Sequence, residues 1–485
     1  MKTALLVCAL TATAFADPTA DRKRVEQLER DAQASDSPEA FTEVGTAYMQ
    51  LYNADPQAPG GDELLYNAAV AFENSRTIAA AIQSLTLLRR QYPNGAIAAR
   101  ALARLARIYV DIALYDKAAD KLEEYGMRYA GEKDAADAIS DAIYFRKAIG
   151  HHDKAIADTK YFVKTFGSKR PQYAADAMWG LTSIYEAEAN PDQLLKHLRE
   201  YIQSYSSKGD PGRVVIAHAK IGQLLWKQSC PHPMVDGLCI KTNERAPRTC
   251  GAGITRTVAP TTRDSAKAKQ ALAAFAAAVK EFERRQTPDD PTVRYFYAQA
   301  KLAAADAELE PYFARVLPRD LGFDPANSAA RTASLKRFSQ WLEHKQKDGE
   351  SVTRKYEAVL AIKDAASSIT AAARIGLVTQ SFASTLVTGA LPHDMHKGAF
   401  VAEKRAAYCR ALRDAAEPLE ATAVNAFGVC LAKSTELSWF DESSRQCERE
   451  LARLVPSEFP LATELRAQPS AFAPILAVEP PPSRR

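Results

Sequence analysis

The residues whose types best suit chemistry are cysteines and a histidine in a proline- and glycine-rich segment, residues 229–262. Within it, Cys230-Pro-His232, Cys239 and Cys250 offer four sulfur and nitrogen ligands, the number that structural zinc requires. The segment lacks the tight two-cysteine knuckle common in zinc sites. We therefore favour disulfide bonds for these cysteines and keep zinc as the alternative.

The number of cysteines agrees with disulfide bonding. The chain has seven cysteines, and Cys8 lies in a segment that we expect to be removed on export, which leaves six. An even number of cysteines in an oxidising compartment is typical of disulfide-bonded proteins.

Six cysteines allow fifteen pairings, and their spacing suggests some of these pairings without fixing them. Cys430 and Cys447 flank a predicted turn, so a helical hairpin would bring them together. Cys239 and Cys250 would close the segment 229–262. The two that remain, free or bonded to each other, are Cys230 and Cys409.

Catalytic motifs are sparse. The sequence has no GxSxG, HExxH, Walker A or GxGxxG pattern. Gly349-Glu350-Ser351 resembles the catalytic Glu-Ser of soluble lytic transglycosylases, but the Gly-rich segment that follows it in that family is missing. Glu350 is better explained as a carboxylate in the first turn of a helix. We predict a protein that is not an enzyme, with no cofactor, no metal and no small-molecule substrate; the alternative is a cell-wall-acting enzyme or a metal-binding periplasmic protein.

The first sixteen residues have the pattern of a secretory signal peptide. Lys2 precedes the short apolar run Ala4–Leu10, and Ala14-Phe15-Ala16 supplies the small residues of a cleavage site. No later stretch has the roughly 18 consecutive apolar residues of a membrane span. We expect cleavage after Ala16, a periplasmic or secreted protein, and no transmembrane helix.

Composition limits the fold and the partners. The 485 residues include 63 Lys and Arg against 59 Asp and Glu, a net charge of +4, which does not favour a nucleic-acid partner. Hydrophobic residues make up 47%, which excludes wholesale disorder. Only 21 residues are glycine, which together with abundant alanine favours helices.

A repeat of about 37 residues organises residues 62–228. The aromatic residues that end four segments are spaced 37, 37 and 39 residues apart: Tyr92, Tyr129, Phe166 and Tyr205. Small or apolar residues precede each of them by eleven positions: Ala81, Ala118, Ala155 and Leu194. A fixed period of this length predicts a helical solenoid.

The repeats resemble tetratricopeptide (TPR) repeats. In the first unit, that family's positions for a large, a small, an aromatic, a small and a proline residue are occupied by Leu65, Ala69, Phe72, Ala81 and Pro93. The third unit departs from the pattern, because Arg146 stands where an aromatic residue is expected. The resemblance implies an all-α, right-handed helical solenoid, followed here by a C-terminal helical region and carrying a cysteine-containing insertion loop.

The resemblance also implies a concave groove lined by the first helix of each repeat, which binds a peptide or a helix of another protein. Carried over by position, this first-helix face comprises Tyr66, Glu73, Arg100, Arg107, Tyr144, Lys147, Trp179 and Glu186. Its mixture of aromatic residues and both charge signs suits an extended peptide. The alternative is that these are solvated faces of a scaffold whose contacts lie elsewhere.

The remaining chain is predicted to be helical around the 229–262 loop. The predicted regions are a signal peptide (1–16), capping helices (17–61), repeats (62–228), the cysteine loop (229–262), a helical hairpin extending the array (263–325), a C-terminal helical region (326–468) and a proline-rich tail (469–485). Helix interruptions are expected between residues 347 and 350 and near Glu417-Pro418. Ala371–Gly376 is predicted to make a close helix–helix contact.

Strings in the C-terminal half, among them CPHPMVDGLC and AAARIG, resemble segments of exported TPR proteins of myxobacteria and their relatives. Some of those proteins belong to the cell-envelope gliding machinery. The resemblance implies an exported scaffold that binds other cell-envelope proteins, with gliding motility as the finer hypothesis.

Overall fold

The computed structural model describes residues 18–241, 249–251, 259–284 and 290–461. The predicted signal peptide and the predicted tail lie outside the described residues. The chain forms two compact units, residues 1–194 (unit 1) and residues 195–485 (unit 2).

The described residues are predominantly α-helical, as the sequence predicted. Unit 1 contains α1 (Pro18–Ser35), α2 (Pro38–Ala54), α3 (Gly61–Asn74), α4 (Ile78–Gln91), α5 (Ala98–Asp111), α6 (Tyr115–Arg128), α7 (Ala135–Ala148), α8 (His152–Phe166), α9 (Pro171–Gly180) and α10 (Thr182–Ala187). The helix α11 (Pro191–Tyr205) begins in unit 1 and ends in unit 2. Unit 2 contains α12 (Pro211–Ser229), α13 (Ser265–Arg284), α14 (Pro291–Ala314), α15 (Ser328–Leu360), α16 (Ala365–Val387), α17 (Val401–Glu436) and α18 (Glu442–Leu454), with two short paired strands, β1 (Ile240–Lys241) and β2 (Ala259–Pro260).

The helices of unit 1 pack in sequence order, each against the next. The turn between the two helices of a repeat has the same backbone geometry each time. One residue of each turn has a left-handed conformation: Arg76 (φ 60°), Ala113 (φ 59°) and Gly150 (φ 76°). After each of them, a backbone N–H closes the preceding helix: Thr77 to Phe72, Leu114 to Tyr109 and His151 to Arg146, at 2.8 to 2.9 Å. This Schellman-type closure satisfies carbonyls at the helix end and returns the chain antiparallel. The period in the sequence is therefore also a period in backbone geometry.

Small residues at the repeat positions allow the helices of unit 1 to approach closely. Ala69, Ala81 and Ala118 are fully buried. A β-carbon added at Gly126 on α6 would lie 2.4 Å from Ile139 on α7, so only glycine fits there. Large side chains of neighbouring helices fill the remaining space, which is the packing that the repeat pattern predicts.

The helix α16 lies at the centre of unit 2 and packs against α14, α15, α17 and α18. Its small face confirms the predicted close contact: Ala371 and Ala373 are fully buried, and a β-carbon at Gly376 would lie 2.5 Å from the Phe427 ring.

Two predicted helix interruptions are wrong. Residues 328–360 form one continuous helix through Gly349, which is buried against Tyr312. The chain turns instead at Lys363 (φ 62°), and Asp364 caps α16 by accepting from the Ser367 N–H. The helix α17 likewise continues through Pro418, which is exposed.

None of the described helices combines the length and the apolar character needed to cross a lipid bilayer.

Candidate protein-binding surface

Three residues of the first-helix face lie together between consecutive repeats. Tyr66 and Glu73 are on α3, and Arg100 on α5 places its guanidinium 4.8 Å from the centroid of the Tyr66 ring. Arg104, one turn further along α5, donates to Glu73 at 2.7 Å and lies over the same ring. Cation–π contacts and an ion pair therefore fix the aromatic ring. Arg104 is not among the residues predicted from the sequence, although its spacing of four from Arg100 places both on one helix face.

Other residues of the first-helix face stand apart from this cluster. The side chain of Arg107 is 78% exposed, and its guanidinium lies 3.8 Å from Asp111 on its own helix. Tyr144 is 69% exposed. Lys147 is half-buried, which lowers its pKa, and its amine lies close to Gly180 at the end of α9.

The last two predicted residues lie at the next repeat. Trp179 is half-buried near the end of α9, and Glu186 is exposed on α10; each makes interactions of its own. The structure thus brings Tyr66, Glu73 and Arg100 into one cluster and leaves Arg107 and Tyr144 as separate exposed positions.

A buried ionic network occupies the degenerate third repeat. The Arg146 side chain is fully buried and donates to Asp158 at 2.7 Å and to Asp120 at 3.2 Å. It also pairs with Glu123, and Lys154 reaches Asp120 at 3.1 Å. Arg146 therefore replaces the aromatic residue of the repeat with charge pairing among α6, α7 and α8.

The carboxyl group of Asp158 titrates unusually in this network. Burial, and then the nearby charge of Glu123, raises its pKa to about 6, although Arg146 opposes this shift. One Asp158 oxygen and one Arg146 nitrogen have no hydrogen-bond partner among the described residues. The network is therefore sensitive to the loss of any member.

The cysteines form three disulfide bonds. The structure has the predicted Cys430–Cys447 bond between α17 and α18. The predicted bond between Cys239 and Cys250 is wrong, and Cys230 and Cys409 are neither free nor bonded to each other. The observed bonds are Cys230–Cys239 and Cys250–Cys409.

Backbone contacts explain the exchanged pairing. A tight turn in which Val235 and Leu238 exchange backbone hydrogen bonds at 2.9 Å folds the chain back, so that Cys239 meets Cys230. The Gly251 N–H donates to the Gly389 carbonyl at 2.9 Å, which holds this part of the segment at the end of α16. Sequence spacing within the loop contains no signal of that distant contact.

The zinc alternative does not fit this arrangement. His232 lies close to the sulfur of Cys230, at 3.9 Å, and forms one cluster with Cys230 and Cys239. The sulfurs of Cys230 and Cys239 form a disulfide bond with each other, and Cys250 is bonded to Cys409. The four proposed ligands therefore do not form one site.

The structure changes the explanation given for Glu350. Glu350 lies inside α15, where its carboxylate accepts from Gln346 at 3.0 Å. Its predicted position in the first turn of a helix is therefore wrong, because the helix continues through Gly349.

Buried ion pairs in unit 2 were not identified from the sequence. Glu310 on α14 accepts two hydrogen bonds from Arg263, at 2.6 and 2.7 Å, and one from the Cys239 N–H at 2.8 Å. The guanidinium of Arg263 lies 3.6 Å from the centroid of the Trp226 ring. This cluster anchors both ends of the cysteine segment.

No protein-family model matches the sequence, and no curated protein matches it. Among solved structures, one similar chain is a tetratricopeptide repeat protein from Parabacteroides merdae. It is 12% identical, the alignment covers 67% of this chain and 98% of that chain, and the TM-score is 0.26. Another is the TPR domain of P58(IPK), at 12% identity, 91% and 99% coverage and a TM-score of 0.21. Because these TM-scores are low, the description of the fold rests on the helix packing given above.

Proposed function

We propose that this chain is an exported helical-repeat scaffold of the TPR type, which binds other cell-envelope proteins through its first-helix face. The observation that carries the proposal is the cluster of Tyr66, Glu73, Arg100 and Arg104 on two consecutive repeats, with Tyr144 exposed further along. Solvent-accessible aromatic residues held by arginines are typical of protein-binding surfaces.

The charge of this face indicates the chemistry of the partner. Arg100 and Arg107 are exposed on α5, next to Tyr66. Exposed guanidinium groups pair well with carboxylates, and the aromatic rings accept apolar side chains. The partner that fits best is a segment with acidic residues beside an apolar or aromatic residue.

Several observations support export. The first sixteen residues have the pattern of a signal peptide, and six cysteines form three disulfide bonds, which persist in oxidising compartments. The resemblance of the C-terminal strings to exported myxobacterial proteins supports an envelope complex and, more finely, a part in gliding motility.

The test is capture from cell envelopes followed by direct binding. Tagged chain carrying Tyr66→Ala, Arg100→Glu and Arg107→Glu is compared with wild type, and each captured protein is purified and titrated. The matched control carries Lys160→Glu and Lys164→Glu on α8, exposed lysines outside the first-helix face.

We expect the wild type and the control to bind the same partner, and the face variant to bind it at least about tenfold more weakly. Equal binding by the face variant would contradict the proposal. Amino-terminal sequencing of the periplasmic protein checks export, with a start at Asp17 as the expected result.

A further inference from the structure

The three disulfide bonds of unit 2 differ in their access to solvent. The four cysteines of two bonds are buried, with exposed fractions between 0% and 9%: Cys230, Cys239, Cys430 and Cys447. Cys250 and Cys409 are both half-buried, so their bond is the most accessible of the three. Exposed disulfide bonds are the ones that exchange with thiols, because a thiolate must reach one of the two sulfurs.

A pocket lies directly beside the Cys250–Cys409 bond. Its volume is about 420 Å³. Besides the two cysteines, it is lined by Thr249, Val387, Arg413 and Glu420. Because pockets of this size are large enough to hold small molecules, a small thiol has room to approach the sulfurs from this side.

The charge nearest the bond is that of Arg413. It follows Cys409 by four residues on α17, so the two side chains lie on one helix face, with their β-carbons about 5–6 Å apart. Glu420 is eleven residues from Cys409, which is about 16 Å along the helix axis, and it makes interactions of its own. A cation close to a cysteine favours the thiolate over the thiol. Cys409 is therefore the sulfur that leaves more readily when the bond opens.

The Cys230–Cys239 bond is the competing candidate, because an imidazole lies beside it. The Nδ1 atom of His232 is 3.9 Å from the sulfur of Cys230, and its Nε2 atom lies 2.7 Å from the Thr261 hydroxyl. Cys239 is fully buried, however, and Cys230 is only 9% exposed. A thiolate has little access to either sulfur, so the imidazole alone does not make this bond an exchange site.

We propose that the Cys250–Cys409 bond is a site of thiol–disulfide exchange with a low-molecular-weight thiol. The incoming thiolate attacks the sulfur of Cys250, the Cys250–Cys409 bond breaks, and the electron pair stays on the sulfur of Cys409 beside Arg413. A second thiol then attacks the mixed disulfide, which frees Cys250 and releases the small thiol as its own disulfide. The two thiol protons pass through solvent to the two cysteine sulfurs.

Contacts other than the bond hold Cys250 near the end of α16, which favours reversal. The Gly251 N–H donates to the Gly389 carbonyl at 2.9 Å, and a β-carbon added at Gly251 would lie 2.8 Å from Leu391. Neither contact involves a sulfur, so the two cysteines stay close to each other after the bond opens. The proposal concerns unit 2 alone and does not depend on the first-helix face.

The experiment treats the full chain with reduced glutathione for increasing times, alkylates the free thiols, and maps both modifications by mass spectrometry. We expect Cys250 and Cys409 to be modified at least about tenfold faster than the cysteines of the two buried bonds. The glutathione adduct is expected on Cys250 and the first alkylated thiol at Cys409. Oxidised glutathione should afterwards restore the bond.

Variants at position 413 separate the effect of charge from the effect of exposure. Arg413→Gln is expected to slow the opening about threefold, the order expected of one exposed charge, and Arg413→Lys to keep the rate of the wild type. The matched control is Lys404→Gln, which is exposed on α17 outside the pocket and leaves the rate unchanged. Equal modification of all three bonds, earlier opening of Cys230–Cys239, a first adduct on Cys409, or an unchanged rate in Arg413→Gln would overturn the proposal.

Discussion

Unit 1 and unit 2 are both built from helices, but they differ in how far apart in the sequence the contacting residues lie. In unit 1 each helix packs on the next one in the sequence, with the same turn recurring at Arg76, Ala113 and Gly150. In unit 2, α16 contacts four other helices, and the Cys250–Cys409 bond joins residues 159 positions apart. A local period therefore specifies the first unit, whereas distant pairings specify the second.

The largest expected effect is the loss of the disulfide bonds, which affects one unit only. All six bonded cysteines lie in unit 2. Opening the loop between Cys250 and Cys409, which are 159 positions apart, is expected to cost about 5 kcal/mol in the chain-entropy model. We expect reduction to raise hydrogen exchange across residues 211–454 and to leave residues 38–187 protected.

The measurement is exchange mass spectrometry with and without reductant. The Cys250→Ser/Cys409→Ser variant, without reductant, serves to separate this bond from the other two. Equal loss of protection in both units would show that unit 1 also depends on distant constraints.

The next effect concerns the one repeat of unit 1 that departs from the local pattern. Arg146→Ala leaves the buried Asp158 carboxylate unpaired and is expected to lower the free energy of unfolding by about 3–5 kcal/mol. Arg146→Leu with Asp158→Leu is expected to recover part of this loss, since it removes both buried charges.

Urea unfolding, monitored by hydrogen exchange in unit 1, checks this prediction. Arg107→Ala, at a largely exposed arginine, is the control and should change stability by no more than about 0.5 kcal/mol. A similar small change for Arg146→Ala would mean that the network contributes little.

A third effect is a pH dependence confined to unit 2. The amine of Lys345 is fully buried and donates to the Tyr312 carbonyl at 2.9 Å. Burial, and then the charge of Arg315, lowers its pKa from 10.5 to about 7. Between these pH values the unfolded chain binds the extra proton, so this group makes stability rise with pH.

We expect the wild type to gain about 2 kcal/mol more than Lys345→Met between pH 7 and pH 9. Urea titrations of both proteins at the two pH values measure the difference. Identical pH slopes would show that the buried amine stays protonated. Hydrogen exchange in unit 1 should be unaffected by the substitution at both pH values.

The smallest effect tests the repeated turn. Ala113 has a left-handed backbone (φ 59°), which glycine adopts without steric cost. Ala113→Gly is expected to stabilise unit 1 by about 0.5–1 kcal/mol, despite the greater entropy of unfolded glycine. Ala103→Gly inside α5 should destabilise it by about 1 kcal/mol. Thermal unfolding of both variants gives the comparison, and destabilisation by Ala113→Gly would contradict it.

The same contrast explains what could be predicted from the sequence. The repeat period, the buried small residues such as Ala81 and Ala118, and the contact at Gly376 follow from local spacing and residue size. The Cys430–Cys447 bond was accessible for the same reason, because a single turn separates its two helices.

Features that depend on distant partners were not accessible. In the sequence, Arg146 is only a departure from the repeat pattern. Its role depends on Asp120 and Asp158, which pair with it from neighbouring helices. The Cys250–Cys409 bond depends on the contact between Gly251 and Gly389, and so does the pocket beside this bond. The helix α17 also continues through Pro418, although an interior proline locally favours a break.

The central claim is that the first-helix face binds a protein of the cell envelope, and crosslinking in living cells tests it most directly. Benzoylphenylalanine replaces Tyr144, the most exposed aromatic residue of the first-helix face, and separately replaces Val429 in unit 2 as the control. We predict that one envelope protein crosslinks to position 144 and not to position 429, and that Arg100→Glu with Arg107→Glu abolishes the product. A crosslink that persists in this double variant, or none at position 144, would contradict the account.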